Sequence, residues 1–302
     1  MSALGHAVDR YLEIRRALGF KLRRESWLLP DFVRYLEAHR SACITVHLAL
    51  DWSQQPSDAH PAEWAQRLSM VRGFARHLQA EDPRHQVPPV DLLPRPVRRS
   101  VPVLLSASEI SALLRAARRI RSRLSAATHE ALWGLLAATG MRVGEAIRLD
   151  REDVDGEQQL LVVRHSKFDK SREVVLHSST MAALQRYAQV RDHHCPRPCS
   201  PAFFVSWRGT RLIYNNVHRT FRLLGQRAGI RAARPHDLRH SFAVATLLRW
   251  YRQRVDVDAW MPRLSTYLGH VAPESTYWYL TAAPELMAVA RRRLERAGGL
   301  AS

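Results

Sequence analysis

This chain has as few lysines as cysteines, three of each in 302 residues, and it has no long apolar run. Three cysteines, Cys43, Cys195 and Cys199, are too few for a disulfide framework and point to a reducing compartment. No stretch approaches the ~20 apolar residues of a spanning helix, and the N-terminus lacks the charged-then-apolar order of a secretion signal. A membrane-spanning helix is therefore not expected, and a cytoplasmic location is. Internal repeats and low-complexity tracts are missing, and the first ~95 residues show no strand pattern.

What is abundant is arginine. Lysine plus arginine number 46 against 28 acidic residues, a net charge of +18. The excess is uneven: residues 1–99 carry +4 and residues 100–302 carry +14. A field of this size and asymmetry points to a polyanionic partner, nucleic acid ahead of a membrane surface.

The apolar spacing organises the chain into two parts. Leu4, Val8, Tyr11, Leu12 and Leu18 share one helical face; Leu29, Phe32, Val33 and Leu36 repeat the pattern, as do Trp64, Leu68, Val71, Ala75 and Leu78. Residues 1–87 therefore read as a bundle of four or five helices. Residues 88–105 are proline-rich, with Arg95, Arg98 and Arg99 adding charge, and read as an extended basic linker. A second domain, 106–302, opens with the capping box Ser106 to Glu109. A helix over about 125–139 stops at Gly140, where a glycine C-cap belongs. In LLVVRHSKFDKSREVVL two β-rich runs, 160–163 and 173–176, flank a polar turn, which suits a hairpin. The fold class expected is mainly α with a small antiparallel β-sheet.

Certain polar residues stand where packing does not ask for them. Arg142 opens a short helix in ATGMRVGEAIRLD, with Glu145 one turn on. His236 and Arg239 fall three apart in PHDLRHSFA, on the first turn of a helix whose free N–H groups favour an anion. Two of the three lysines, Lys167 and Lys170, sit in the hairpin turn. Arginine holds its proton near neutral pH, whereas lysine can release one, so a lysine kept in an arginine background suggests a proton donor. HHCPRPC, with His193, His194, Cys195 and Cys199, lacks a matching second half, and no metal site is expected there. Ser241 and Ser265 lie near histidines but in no nucleophile-elbow context.

Taken in order, ATGMRVGEAIRL, RHSKFDKSRE, HDLRHSFA and LGHVAPESTYWY resemble the tyrosine recombinases, or phage integrases, in particular those of bacterial mobile elements. The resemblance covers 106–302, and the preceding bundle is similar to the family's core-binding domain. It implies a site-specific recombinase that cleaves duplex DNA through a 3′-phosphotyrosyl intermediate without metal, ATP or other cofactor. Arg142 and Arg239 match the arginines that hold the scissile phosphate, Lys167 the lysine that protonates the departing 5′ oxygen, and His236 the acid/base histidine. His270 takes the position of a phosphate-binding histidine or tryptophan, and Glu145 and His240 are expected to support the site from behind. Lys170, Arg95, Arg98 and Arg99 are expected to bind DNA.

The family's nucleophile follows the LGH histidine by nine positions, which gives Tyr279. Tyr277 falls two short, and at about 100° per residue two such side chains point nearly opposite ways, so only one can attack. The apolar stripe Leu286, Val289, Ala290 and Leu294 is expected to dock on a neighbouring protomer of a synaptic tetramer, with accessory recombinases a further possible partner. The stretch LLRWYRQRVDVDAWMPRLSTY is longer than the family's usual segment, and no arm-site-reading domain is expected ahead of the bundle. Alternatives of related and different class are a type IB topoisomerase-like nicking enzyme and a DNA-binding regulator without catalysis.

Overall fold

The computed structural model describes residues 2–93, 103–164, 171–197, 199–230, 232–269, 276–277 and 279–280. Arg95, Arg98, Arg99, Lys167, Lys170, His270 and the apolar stripe from Leu286 to Leu294 lie outside the described residues. The chain divides into two compact units, residues 1–100 and 101–302.

Four helices build the described part of the first unit: α1 (Ala3–Ala17), α2 (Glu25–Ala38), α3 (Val46–Gln54) and α4 (Pro61–Gln79). The starts are set by local chemistry. Ser2 and Thr45 accept backbone N–H groups at the heads of α1 and α3, and Pro61 occupies the first turn of α4, where its missing N–H costs nothing. Leu28, Leu29, Phe32, Leu36, Ile44, Trp52, Leu68 and Phe74 form the core, each such side chain contributing about 1.5–3 kcal/mol by leaving water. Leu18 departs from the periodic expectation. It caps α1 and stands 67 % exposed, because the chain turns out of the helix at Gly19, whose φ of +86° favours glycine. The proline-rich segment is fastened at its start: buried Arg72 donates through Nε to Pro88 O and through Nη2 to Pro89 O, both at 2.7 Å.

The second unit is helical around a small sheet. Its elements are α5 (Ala107–Arg118), α6 (Arg123–Thr139), α7 (Val143–Ala146), β1 (Val154–Asp155), β2 (Leu160–Val163), β3 (Arg172–Val175), α8 (Ser178–His194), α9 (Tyr214–Arg227), α10 (Pro235–Arg252) and α11 (Val257–Leu268). The capping box on α5 is present in both directions, Ser106 Oγ accepting from Glu109 N–H and the Glu109 carboxylate from Ser106 N–H. The sheet runs β1-β2-β3, all antiparallel, with Leu161 opposite Val174. β3 begins at Arg172, one residue earlier than the apolar run predicts, because Arg172 pairs with Val163; β1, two residues long, leaves no pattern to read.

Helix α6 lies at the centre and packs against α5, α8 and α10, with Trp133 buried edge-on to Phe221 of α9 at 5.0 Å. It ends where the sequence says it should. Gly140 adopts φ +63°, and a Cβ there would lie 2.5 Å from the Phe242 ring of α10. This glycine therefore serves two purposes: it turns the chain, and it lets α10 approach closely. No helix among the described residues is long and apolar enough to cross a membrane.

Candidate active site

Gly140 places its carbonyl and the following Arg142 beside the first turn of α10. Arg239, on that turn, is only 2 % exposed and donates from Nη1 to Gly140 O at 2.8 Å and from Nη2 to Leu268 O at 2.9 Å. Among the described residues no carboxylate forms an ion pair with it. Burial first, then the charge of Arg142, pushes its pKa down to about 10 against the opposing pull of Tyr279 and Glu145, and it stays protonated at neutral pH.

Arg142 caps α7 and reaches both ways. Nη1 donates to Glu145 Oε1 at 2.8 Å and Nη2 to Gly269 O at 3.0 Å, while its backbone N–H donates to Glu145 Oε2 at 3.0 Å. Glu145 is buried and receives a second guanidinium, that of Arg172, with Nη2 to Oε2 at 2.8 Å. Burial alone would raise the Glu145 pKa; the hydrogen bonds and charges of Arg172 and Arg142 outweigh it and hold the carboxylate at about 2. One carboxylate thus serves two arginines, and the cluster keeps a positive surplus.

His236 adds to that surplus only when protonated. Its side chain is open to solvent on one side, yet crowding by protein and then the charges of Arg239, Arg142, Arg234 and His218 pull its pKa down to about 4. It is neutral at pH 7, able to accept a proton or donate its single N–H. The ring of His240 lies edge-on to His236 at 4.6 Å and to Tyr279 at 5.5 Å, and its Nδ1 is 3.2 Å from the Tyr279 hydroxyl. The structure therefore brings Arg142, Glu145, His236, Arg239, His240 and Tyr279 into one cluster.

Residues 104–285 match the phage integrase family. Over 98 % of its length the chain is 47 % identical to 98 % of a Sinorhizobium fredii protein carrying the name integrase/recombinase y4rB. It is 31 % identical to tyrosine recombinase XerC of Alcanivorax borkumensis over 60 % of this chain and 58 % of that one.

The chain belongs to the phage integrase family.

It is a tyrosine recombinase, an enzyme that acts on DNA by cleaving and rejoining strands. Its fold is also that of a lambda integrase tetramer bound to a Holliday junction, with a TM-score of 0.61 at 18 % identity over 91 % of this chain and 76 % of that one.

In this tyrosine recombinase the two phenols behind LGH differ sharply. Tyr279 is 2 % exposed and packs with Leu247, Met261 and Leu264, whereas Tyr277 is 43 % exposed. Lys167, Lys170, His270 and the linker arginines, outside the described residues, are not placed. Ser241 is a structural hydroxyl: it accepts the Leu105 N–H at 2.7 Å and donates to Asp237 O at 2.8 Å, tying the start of the catalytic unit to α10.

One residue of the cluster escaped the sequence reading. Arg172 is not singled out in the sequence analysis. The signal was there: strand alternation puts Arg172 on the same face as Val174, which is 1 % exposed, so an inward arginine was legible once the strand's first residue was known.

Among the described residues, two other groups of potential metal ligands lie outside this cluster. His193 and His194 end α8 with their rings 4.9 Å apart, Cys195 packs beside Leu124, Ala202 and Val205, and Cys199 is exposed. A different trio, Cys43, Asp82 and His85, converges within 4.8 Å in the first unit. There His85 Nδ1 accepts the Ile44 N–H at 3.1 Å, which leaves its proton on Nε2 and no imidazole lone pair for an ion. Asp82 is moreover engaged by Arg84 at 2.8 Å.

Proposed function

We propose that the cluster around Arg239 receives the scissile phosphate of a specific duplex site and that Tyr279 attacks it. The observation that carries this reading is a buried, permanently charged Arg239 whose neighbours Arg142 and Arg172 share a single carboxylate. Such a surplus is stabilised by an anion, and a phosphodiester presents two non-bridging oxygens to Arg142 and Arg239. As the Tyr279 oxygen bonds to phosphorus, its phenolic proton passes to His236, which is neutral at pH 7; the bond to the 5′ oxygen breaks and that oxygen takes a proton, a task this reading gives to Lys167. His270 completes the contacts to the phosphate. His240 holds the Tyr279 hydroxyl beside the site. Energy retained in the 3′-phosphotyrosyl bond drives rejoining, so no ATP or metal enters the scheme.

Residues 1–87 serve in this reading as a core-binding domain, 88–105 as a basic linker with Arg95, Arg98 and Arg99 on the DNA backbone, joined by Lys170, and 106–302 as the catalytic domain. Assembly as a tetramer on the recombination site is part of this reading, and the lambda integrase tetramer on a Holliday junction, which shares the fold, supports it. Free cysteines are in keeping with a cytoplasmic setting.

A nicked suicide substrate, from which the cleaved strand diffuses away, tests the chemistry. Wild type and Tyr277→Phe are expected to accumulate a covalent protein–DNA complex and Tyr279→Phe none. Peptide mapping that finds the nucleotide on Tyr277 overturns the assignment.

A further inference from the structure

We propose that Arg172 is a positioning residue for cleavage: it locks the start of β3 to Glu145 and to the last turn of α11 beside Gly269, and through them fixes the Arg142 guanidinium. The inference rests on the reading above that Arg142 contacts the scissile phosphate.

The geometry forms a closed circuit. Arg172 donates from Nη2 to Glu145 Oε2 at 2.8 Å, from Nη1 to Glu145 Oε1 at 3.3 Å and from Nε to Tyr267 O at 3.1 Å. Glu145 passes the contact on by accepting Arg142 Nη1 and N–H, and Arg142 Nη2 returns to Gly269 O, two residues past Tyr267. The guanidinium of Arg172 packs directly against this turn. A Cβ at Gly269 would come within 2.7 Å of Arg172 Nη1, so the glycine of the LGH motif is required both by its φ of +68° and by the arginine beside it. At the other end of β3 the Tyr267 hydroxyl donates to Val175 O at 3.3 Å, which clips the strand to α11 a second time.

Arginine is needed here for its shape. Its planar fork reaches two carboxylate oxygens and a carbonyl in diverging directions; a lysine ammonium at the end of a flexible stem cannot hold all three. Without Arg172, Glu145 has one cation instead of two and draws the whole Arg142 guanidinium onto itself, away from Gly269 O and from the position where a phosphate oxygen would be met. Displacement of a catalytic group by about 1 Å can cost on the order of 100-fold in rate.

The test is single-turnover cleavage of the nicked substrate with either a phosphate or a charge-neutral methylphosphonate at the scissile position. Methylphosphonate lowers the demand for a correctly placed positive charge while leaving the nucleophile's task in place. Arg172→Lys and Arg172→Ala are expected to bind duplex DNA within about 3-fold of wild type and to cleave the phosphate about 10- to 100-fold more slowly. On methylphosphonate the ratio of variant to wild type should return toward one. An equal loss on both substrates would mean that Arg172 only supports the fold, and an unchanged rate on phosphate would mean that it positions nothing; either result overturns the proposal. Should Arg172→Ala fail to fold, Arg172→Lys, which keeps the charge and most of the volume, gives the same reading. Arg142→Ala is run beside them: wild-type cleavage of the phosphate by that variant sinks the underlying site assignment, independently of what Arg172 does.

Discussion

Buried arginines occur in both units of this recombinase, and they are used in opposite ways. In the N-terminal bundle Arg67 is 7 % and Arg72 5 % exposed. Arg67 stacks on the Trp52 ring at 3.8 Å and donates to Trp52 O, and Arg72 binds the carbonyls of Pro88 and Pro89. Each holds one piece of chain against another. In the catalytic unit Arg239, at 2 % exposed, also donates to two carbonyls, yet there the charge of Arg142 is the largest that bears on it, whereas at Arg67 the opposite charge of Asp31 outweighs that of Arg24. Burial and carbonyl partners are common to both regions, so they do not mark a site. Crowding of like charge does, because it stores a repulsion that an anion relieves.

The sharpest way to break this comparison is to remove one arginine from each region. Arg239→Ala is expected to slow single-turnover cleavage about 100- to 1000-fold, the usual consequence of losing one donor to a developing oxyanion. Its melting temperature should move little, since the two carbonyls left without a donor are offset by removal of a buried charge facing Arg142. Arg72→Ala should do the reverse, lowering stability by about 1–3 kcal/mol through the unpaired prolyl carbonyls while folded molecules cleave normally. Calorimetry and trapping on the same two variants check both halves. An Arg239→Ala enzyme that melts early and cleaves at the wild-type rate would erase the distinction.

Sequence made some of this visible and hid the rest for a physical reason. Elements set by local chemistry were legible: the end of α6 at Gly140, the capping box of α5, the short helix that pairs Arg142 with Glu145, and the hairpin strands. Each depends on residues within one or two turns of one another. What links them is not local. Arg239 meets Gly140 and Leu268, and Arg172 meets Glu145 and Tyr267, across long stretches of chain that no periodicity connects. The depth of Arg67 and Arg72 was equally unreadable, because an arginine on a helix reads as solvated until the neighbouring helices are placed. The burial of Tyr279 beside exposed Tyr277 agrees with two positions on one helix facing different ways, which spacing alone could state but not assign a direction to.

Acid sharpens the contrast between carboxylates. Glu145 has a folded pKa near 2, below its ordinary 4.5, so the stability it contributes is fully present above pH 4.5 and is lost as pH falls through about 2. A shift of that size corresponds to about 3 kcal/mol at the 1.4 kcal/mol each pKa unit represents. Glu145→Gln should flatten the stability curve between pH 4.5 and 2 relative to wild type, followed by denaturant titration at a series of pH values. An unchanged slope would mean that the two arginines do not hold Glu145 ionised.

The smallest effect expected is at His236, and it bears on whether like-charge crowding truly prepares the site for an anion. The groups facing its imidazole are Arg239, Arg142, Arg234 and His218, with the His240 ring edge-on at 4.6 Å. Its folded pKa, about 4, is below the ordinary 6.5, so between those values the unfolded chain binds the extra proton. Stability should therefore rise with pH across that window and be flat above it, with a modest amplitude because the side chain is open to solvent on one side. A bound phosphodiester reverses the sign of the nearest charge and favours the imidazolium. Nuclear magnetic resonance titration of the His236 ring should accordingly give a midpoint near 4 in the free protein and a higher one with duplex DNA, and DNA binding at pH 5 should take up a proton that His236→Gln does not. A free-protein midpoint at the ordinary value would show that the surrounding arginines are screened by water, in which case their crowding stores too little repulsion to distinguish this region from the N-terminal bundle.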